Sequence, residues 1–158
     1  MLPQSTRLRS APILTDTSTK ASNHVVRVER GLLDTSVVID LHKFEPADLP
    51  AQVAISSITM AELVAGPHAV RSAAARAERI DRIQRAEAMF DPLPFDIDAA
   101  RAYGRIYAAT VEAGQKPRGQ RAVDLLIAAT ALSNGLPLVT RNREDFKSLA
   151  GLVEVVAG

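Results

Sequence analysis

Four acidic residues stand beside segments whose apolar patterns predict buried strands and helices. Asp34 follows a predicted strand within GLLDTSVVIDL, Glu62 lies in the helix after the strand QVAISSI, Asp124 opens the apolar helix AVDLLIAATALS, and Asp145 follows the strand LPLV. Alternating strands and helices favour a parallel sheet, in which the carboxyl ends of the strands share one edge. We therefore expect these carboxylates to gather at that edge, where open α/β sheets place their binding sites.

A cluster of carboxylates needs a positive charge beside it. Repulsion between like charges raises the pKa of at least one acid, and a divalent cation removes this penalty. Mg²⁺ and Mn²⁺ prefer carboxylate and water oxygens. Zinc is disfavoured because the chain has no cysteine and its histidines, His24, His42 and His68, form no ligand pair. A hard cation held in this way can activate water for attack on a phosphodiester.

Basic residues occupy the segments that adjoin these acids. They are Lys116, Arg118, Arg121, Arg141 and Arg143. Such side chains hold the phosphates of a nucleic-acid backbone, so the acids and bases together indicate a metal-dependent nuclease. The net charge of the whole chain is only +1. Attraction for a nucleic acid must therefore come from local patches and bound metal rather than from the whole surface.

Each acid also has an ordinary structural explanation. Asp34 could cap the helix that follows it, although Thr35 or Ser36 could do the same. The spacing Thr59-x-x-Glu62 is that of a capping box. Asp124 lies in a first turn, where the helix dipole favours a carboxylate. The residues taken singly leave these alternatives open.

The predicted elements that position the acids form an α/β fold. Strands are expected at 32–33, 52–58, 91–96, 136–139 and 152–156, and helices at 37–41, 59–65, 70–90, 98–113 and 122–133. The helix over 70–90 carries an apolar face that could contact the core, a second subunit or a partner, and a charged face that a solvated surface explains better than RNA contact.

Composition sets the class of protein. The chain has 158 residues, 47% of them hydrophobic, which suits one domain with a substantial core. The lack of cysteine excludes disulfides. No apolar run approaches the roughly 20 residues that span a bilayer, and we expect a cytoplasmic protein.

Residues 1–30 are rich in serine and threonine and lack periodicity, so they are predicted to be a flexible leader, either an over-long start or an accessory tail.

Three sequence blocks in this order resemble the PIN domain, and most closely the VapC-type toxins of bacterial toxin–antitoxin pairs. The blocks are LLDTSVVIDL, SSITMAELVAG and VDLLIAATALSNGLPLVTRNREDF. The resemblance implies that residues 31–158 form a nuclease domain with a central parallel sheet of four to five strands flanked by helices. It further implies a Mg²⁺-dependent endoribonuclease, with Mn²⁺ as a substitute, that forms a homodimer and is inhibited by a small antitoxin.

The resemblance also assigns roles to individual positions. Asp34, Glu62 and Asp124 match the first three acids of the family and would be both catalytic residues and metal ligands. Ser36 and Thr140 match small polar residues beside the site. The fourth acid departs from the pattern, because Asn142 stands where many members have an acid, and Asp145 is the next candidate ligand. Apart from the resemblance, Arg118, Arg121 and Arg141 are the expected RNA-binding residues because they lie in segments that adjoin the acids.

Two other functions compete with a nuclease. A phosphatase that uses Asp34 as a nucleophile would, by resemblance to haloacid dehalogenases, need a second acid two residues later, where Ser36 stands. A non-catalytic module that binds RNA or another protein remains the main alternative. The presence of the first three acids favours the nuclease over that module.

Overall fold

Four parallel strands form the centre of the protein. The computed structural model describes residues 28–158. Within them the strands are β1 (Arg30–Leu33), β2 (Gln52–Ala54), β3 (Leu138–Thr140) and β4 (Val155–Ala157), in the order β2-β1-β3-β4. This parallel sheet flanked by helices confirms the predicted fold class. The leader predicted over 1–30 falls almost wholly on residues 1–27, which lie outside the described residues.

The helices are α1 (Thr35–Ile39), α2 (Ser57–Ala65), α3 (Ala73–Met89), α4 (Ile97–Glu112) and α5 (Gln120–Ser133). Short 3₁₀ helices cover Leu41–Lys43, Pro46–Asp48, Gly66–Ala69 and Arg143–Leu149. In the part of the chain described here, no helix is both long and apolar enough to cross a membrane.

The sheet is covered on both faces, which explains why most residues of its strands are apolar. Side chains of adjacent residues in a strand point to opposite faces. Leu32 accordingly packs in one core cluster with Ile106 of α4 and Ile127 of α5. Leu33 packs in the other cluster with residues of α1, α2 and α3, among them Leu63.

Strand β1 pairs with β2 along one edge and with β3, which comes much later in the chain, along its other edge. Leu32 is opposite Ala54 in β2, and Leu33 is opposite Val139 in β3. This reversal of strand order opens a crevice at the carboxyl ends of β1 and β3. The residues that follow Leu33 and Val139 therefore face each other across the crevice.

Of the predicted helix caps, one is confirmed and one is wrong. Asp34, rather than the alternatives Thr35 or Ser36, is the cap of α1. Helix α2 begins at Ser57, two residues earlier than predicted, and the hydroxyl of Ser56 accepts from the Thr59 backbone N–H at 3.0 Å. Thr59 is therefore the third residue of the helix, and it forms no capping box with Glu62.

One further expectation needs correction. The strand predicted over 91–96 is a single bridge between Leu93 and Ser56, because the prolines on either side of Leu93 have no N–H to donate. The apolar face of α3, for which the sequence left the core, a second subunit or a partner open, is largely uncovered: Ile80 is 42% exposed, and Ala86 is the buried residue of this helix.

Gly31 in β1 gives the first testable prediction. A Cβ at this position would lie 2.7 Å from Cγ2 of Val139 and 3.0 Å from Cγ of Pro50. Both neighbours are stiff, so Gly31→Ala should lower the free energy of unfolding by about 1–3 kcal/mol. Gly104 in α4 has nothing within 4 Å of its Cβ position, and Gly104→Ala should be stabilising by about 0.5–1 kcal/mol. Urea denaturation measures both, and equal stability of the two variants would contradict this account of β1 packing.

Candidate active site

Asp34 lies at the bottom of the crevice between β1 and β3. Its backbone N–H donates to the Val139 carbonyl at 2.8 Å, which extends the pairing of the two strands by one residue. Its Oδ1 accepts from the Thr35 backbone N–H at 2.9 Å. Its Oδ2 accepts from the hydroxyls of Ser36 at 3.0 Å and Thr140 at 2.9 Å. Three donors therefore fix the orientation of this carboxylate.

Burial sets the electrostatic state of Asp34. The residue is only 7% exposed, and this loss of water raises the pKa of its carboxyl, while the hydrogen bonds from Thr140, Ser36 and Thr35 act in the opposite direction. A nearly buried acid that is already supplied with donors is the type of group that a positive charge stabilises strongly.

Glu62 reaches the same edge from α2. Its Oε2 accepts a short hydrogen bond from the hydroxyl of Thr35, and its Oε1 accepts from Nε2 of Gln120 at 2.9 Å. Thr35 thus connects the helix after β1 with the helix after β2. The capping alternative for Glu62 is excluded because its carboxylate points into this network rather than back to the start of α2.

Asp124 is the fifth residue of α5 and is partly buried. The helix begins at Gln120 rather than at the predicted Ala122, so Asp124 lies beyond the first turn and its predicted place in that turn is wrong. Its Oδ1 accepts from Nε2 of Gln120 at 3.2 Å. Desolvation, followed by the negative charges of Asp34, Glu62 and Asp145, raises the pKa of Asp124 to about 6, although the Gln120 hydrogen bond lowers it. The four predicted acids are therefore close enough to act on one another, as the parallel topology requires.

Asp145 and Asn142 form the outer rim of the site. Nδ2 of Asn142 donates to Oδ2 of Asp145 at 2.7 Å, and the Asn142 backbone N–H donates to Oγ1 of Thr140 at 3.2 Å. The hydroxyl of Thr140 in turn donates to Oδ2 of Asp34. Asn142 therefore links the exposed Asp145 to the buried part of the site without being an acid itself.

The predicted RNA-binding arginines lie around this rim in different surroundings. Arg141 forms an ion pair with Asp40, which also contacts Nζ of Lys43 at 2.7 Å. Nη1 of Arg121 donates to Oε1 of Gln115 at 2.9 Å and to the Asp145 carbonyl at 3.5 Å. Arg118 is exposed in the loop before α5.

The donor set fits a hard cation. Carboxylate oxygens of Asp34, Glu62 and Asp124 are the available ligands, with hydroxyls behind them, and oxygen ligands suit Mg²⁺ or Mn²⁺. As placed here, no three acidic or histidine side chains of residues 28–158 converge closely enough to hold one ion. The carboxamide of Gln120 lies between two of the acids, so a shared cation requires a small rearrangement of side chains.

Sequence reasoning missed Gln120 and the linking role of Thr35. A glutamine four residues before an aspartate in a helix is a known hydrogen-bonding pair, and this spacing could have indicated the contact with Asp124. The contacts of Gln120 and Thr35 with Glu62 join residues 58 and 27 positions apart. No short-range pattern indicates contacts of that kind.

Comparison with known proteins assigns the family. A family model described as PIN domain matches residues 31–152. Ribonuclease VapC5 of Mycobacterium tuberculosis is 37% identical over 128 residues, which cover 79% of this chain and 91% of that protein. Ribonuclease VapC1 of Rickettsia felis is 32% identical over 129 residues, which cover 77% of this chain and 91% of that protein.

Solved structures give the same result. A crystal structure of VapBC-5 from Mycobacterium tuberculosis, a member of the VapBC family of toxin–antitoxin systems, superposes with a TM-score of 0.69 at 36% identity and covers 82% of this chain and 97% of the matched chain. DNA-bound VapBC from Salmonella typhimurium superposes with a TM-score of 0.63 at 25% identity, covering 82% and 98%. The chain therefore belongs to the PIN-domain family, in its VapC branch, which confirms the resemblance found in the sequence.

The raised pKa of Asp124 predicts how stability depends on pH. The folded protein keeps this proton up to about pH 6, whereas the unfolded chain loses it near the ordinary value of 3.8. The folded state therefore binds more protons between these values, and the contribution of Asp124 to stability falls as pH rises through this window. With chelator present, Asp124→Asn should melt at a higher temperature than the wild type at pH 7.5.

The difference in melting temperature should disappear near pH 4, where the side chain at position 124 is neutral in the folded wild type as well as in Asp124→Asn. Asp81→Asn, on the exposed surface of α3, is the control for loss of one negative charge. A lower melting temperature for Asp124→Asn than for wild type at pH 7.5 would contradict the proposed repulsion.

Proposed function

We propose that this protein is a divalent-cation-dependent endoribonuclease and the toxin of a toxin–antitoxin pair. Kinship with proteins named ribonucleases supports the RNA-cleaving activity. The observation that carries the proposal is the meeting of Asp34 and Asp124 at the carboxyl edge of the sheet, where burial and the charges of neighbouring acids raise the pKa of both: Glu62 acts on Asp34, and Asp34, Glu62 and Asp145 act on Asp124. A site built in this way has a strong preference for a cation.

Asp34, Glu62 and Asp124 are the proposed ligands, with Mg²⁺ as the cation and Mn²⁺ as a substitute. When bound, such an ion stabilises charge on a phosphodiester and makes water a stronger nucleophile. Ser36 and Thr140 hold the carboxylate of Asp34 in one orientation, and Thr35 does the same for Glu62. Asn142 orients Asp145, which we propose as an auxiliary acid at the rim.

Arg118, Arg121 and Arg141 are the proposed contacts to the RNA backbone. Arg121 and Arg141 already pair with protein groups at the rim, Gln115 and Asp40. The Arg141–Asp40 pair is partly exposed, and exposed ion pairs are weak. An RNA phosphate can therefore replace the carboxylate as the partner of this guanidinium.

The proposed protein partners are a cognate antitoxin and a second copy of the chain. The related solved structures are toxin–antitoxin complexes, which supports an antitoxin here. A cavity of about 240 Å³ between α1 and α3, lined by Ile39, Met89 and Phe90 among others, offers apolar surface for a partner.

Tyr107 and Val111 of α4 are 45% and 49% exposed and support contact with a second copy. We place the activity in the cytoplasm, where cellular RNA is available.

A non-catalytic RNA-binding or interaction module is the second candidate. The observation that favours it is that no three acidic side chains within the described range 28–158 converge on one point. The two candidates differ in whether RNA is cut, so one assay separates them.

The assay incubates the purified protein with a pool of cellular RNAs in Mg²⁺. We expect cleavage that chelator abolishes and that Asp34→Asn reduces by at least ~100-fold, because the variant loses a ligand charge while keeping the hydrogen-bonding shape. Asp81→Asn is the matched control and should cut at the wild-type rate. Undiminished cleavage by Asp34→Asn would exclude the proposed site, and RNA binding without cleavage by the wild type would establish the binding module.

A further inference from the structure

One carboxamide joins two of the proposed metal ligands. Nε2 of Gln120 lies 2.9 Å from Oε1 of Glu62 and 3.2 Å from Oδ1 of Asp124. The amide nitrogen carries two hydrogens, so it can donate one to each carboxylate. Glu62 belongs to α2 and Asp124 to α5, which makes this side chain a bridge between two elements that the sheet places side by side.

The amide and a cation compete for the same oxygens. Mg²⁺ binds carboxylate oxygens at about 2.0–2.1 Å and demands near-octahedral geometry, so it needs lone pairs that point towards it. Oε2 of Glu62 already accepts from Thr35, and Oε1 is the atom bonded to Gln120. A cation shared by Glu62 and Asp124 would therefore occupy the space that Nε2 now fills.

The side chain can leave this position easily. Gln120 is exposed at the first position of α5, so water can take over the hydrogen bonds of its amide. Its rotation changes no packed contact in the core. The opposite end of the same amide is a carbonyl oxygen, which suits a cation or its water shell.

We propose that Gln120 regulates cation entry: its carboxamide holds Glu62 and Asp124 together and is displaced from both when a divalent cation binds between them. This inference rests on the proposed function in one respect, namely that Glu62 and Asp124 are ligands. It differs from a structural role of Gln120, which would change stability without changing cation affinity.

Cation affinity is the first readout. Isothermal titration calorimetry with Mg²⁺ and with Mn²⁺ compares the wild type with Gln120→Met, which keeps length and helix propensity but has no N–H. The affinity of Gln120→Met should rise about three- to tenfold, the net value of one ordinary hydrogen bond that water can replace. Gln120→Ala should show the same direction, and Gln84→Ala, on the exposed surface of α3, should bind as the wild type does.

The amide itself supplies a readout that does not depend on activity. In ¹⁵N-labelled protein, the side-chain amide signals of Gln120 are those that disappear in Gln120→Met. We expect these signals to shift during Mg²⁺ titration at constant ionic strength, while those of Gln84 stay in place.

The calorimetric and NMR titrations together distinguish failure of this proposal from failure of the proposed function. If the wild type binds cation but Gln120→Met and Gln120→Ala bind with equal or weaker affinity, or if the Gln120 signals do not move, Gln120 does not compete with the cation and the proposal is wrong. If the wild type binds neither Mg²⁺ nor Mn²⁺, this proposal and the metal-dependent nuclease are both excluded.

Discussion

Repulsion among carboxylates at one edge of the sheet is the constraint that shapes this protein. Asp34, Glu62, Asp124 and Asp145 come from four separate segments, and burial, followed by the charges of the other three acids, raises the pKa of Asp124 to about 6. Donors surround the acids and reduce this cost: Thr140, Ser36 and the Thr35 backbone serve Asp34, the Thr35 hydroxyl serves Glu62, and Gln120 serves Glu62 and Asp124. Such groups offset repulsion in part, whereas a divalent cation neutralises it.

The sheet makes this gathering unavoidable. Strands β1 and β3 are parallel neighbours, and the Asp34 backbone N–H bonds to the Val139 carbonyl. Asp34 and Thr140 must therefore lie side by side although 106 positions separate them. The same strands are buried on both faces, which keeps water from the inner part of the crevice and makes every charge there costly. Rigid elements, not loops, position the inner acids.

The sequence was sufficient to predict the fold class and the clustering of the acids. Apolar runs that alternate with amphipathic helices predicted a parallel α/β sheet, and the position of each acid relative to its strand predicted the cluster. Local capping was harder, because Ser56 and Thr59 are both good cap residues, and it is the Ser56 hydroxyl that accepts from the Thr59 backbone N–H. The bridge formed by Gln120 could not be predicted from one helix, since half of it comes from α2. The apolar residues of α3 satisfied a helical pattern, but that pattern does not tell whether a core or a partner covers them.

The central claim is that the clustered acids form a cation site, and anomalous diffraction from crystals grown with Mn²⁺ tests it most directly. We expect an anomalous peak within coordination distance of carboxylate oxygens of both Asp34 and Asp124, and its loss in Asp34→Asn crystals prepared in the same way. A protein that cleaves RNA with Mn²⁺ present but shows no peak at these oxygens, or shows one elsewhere on the chain, would contradict the account.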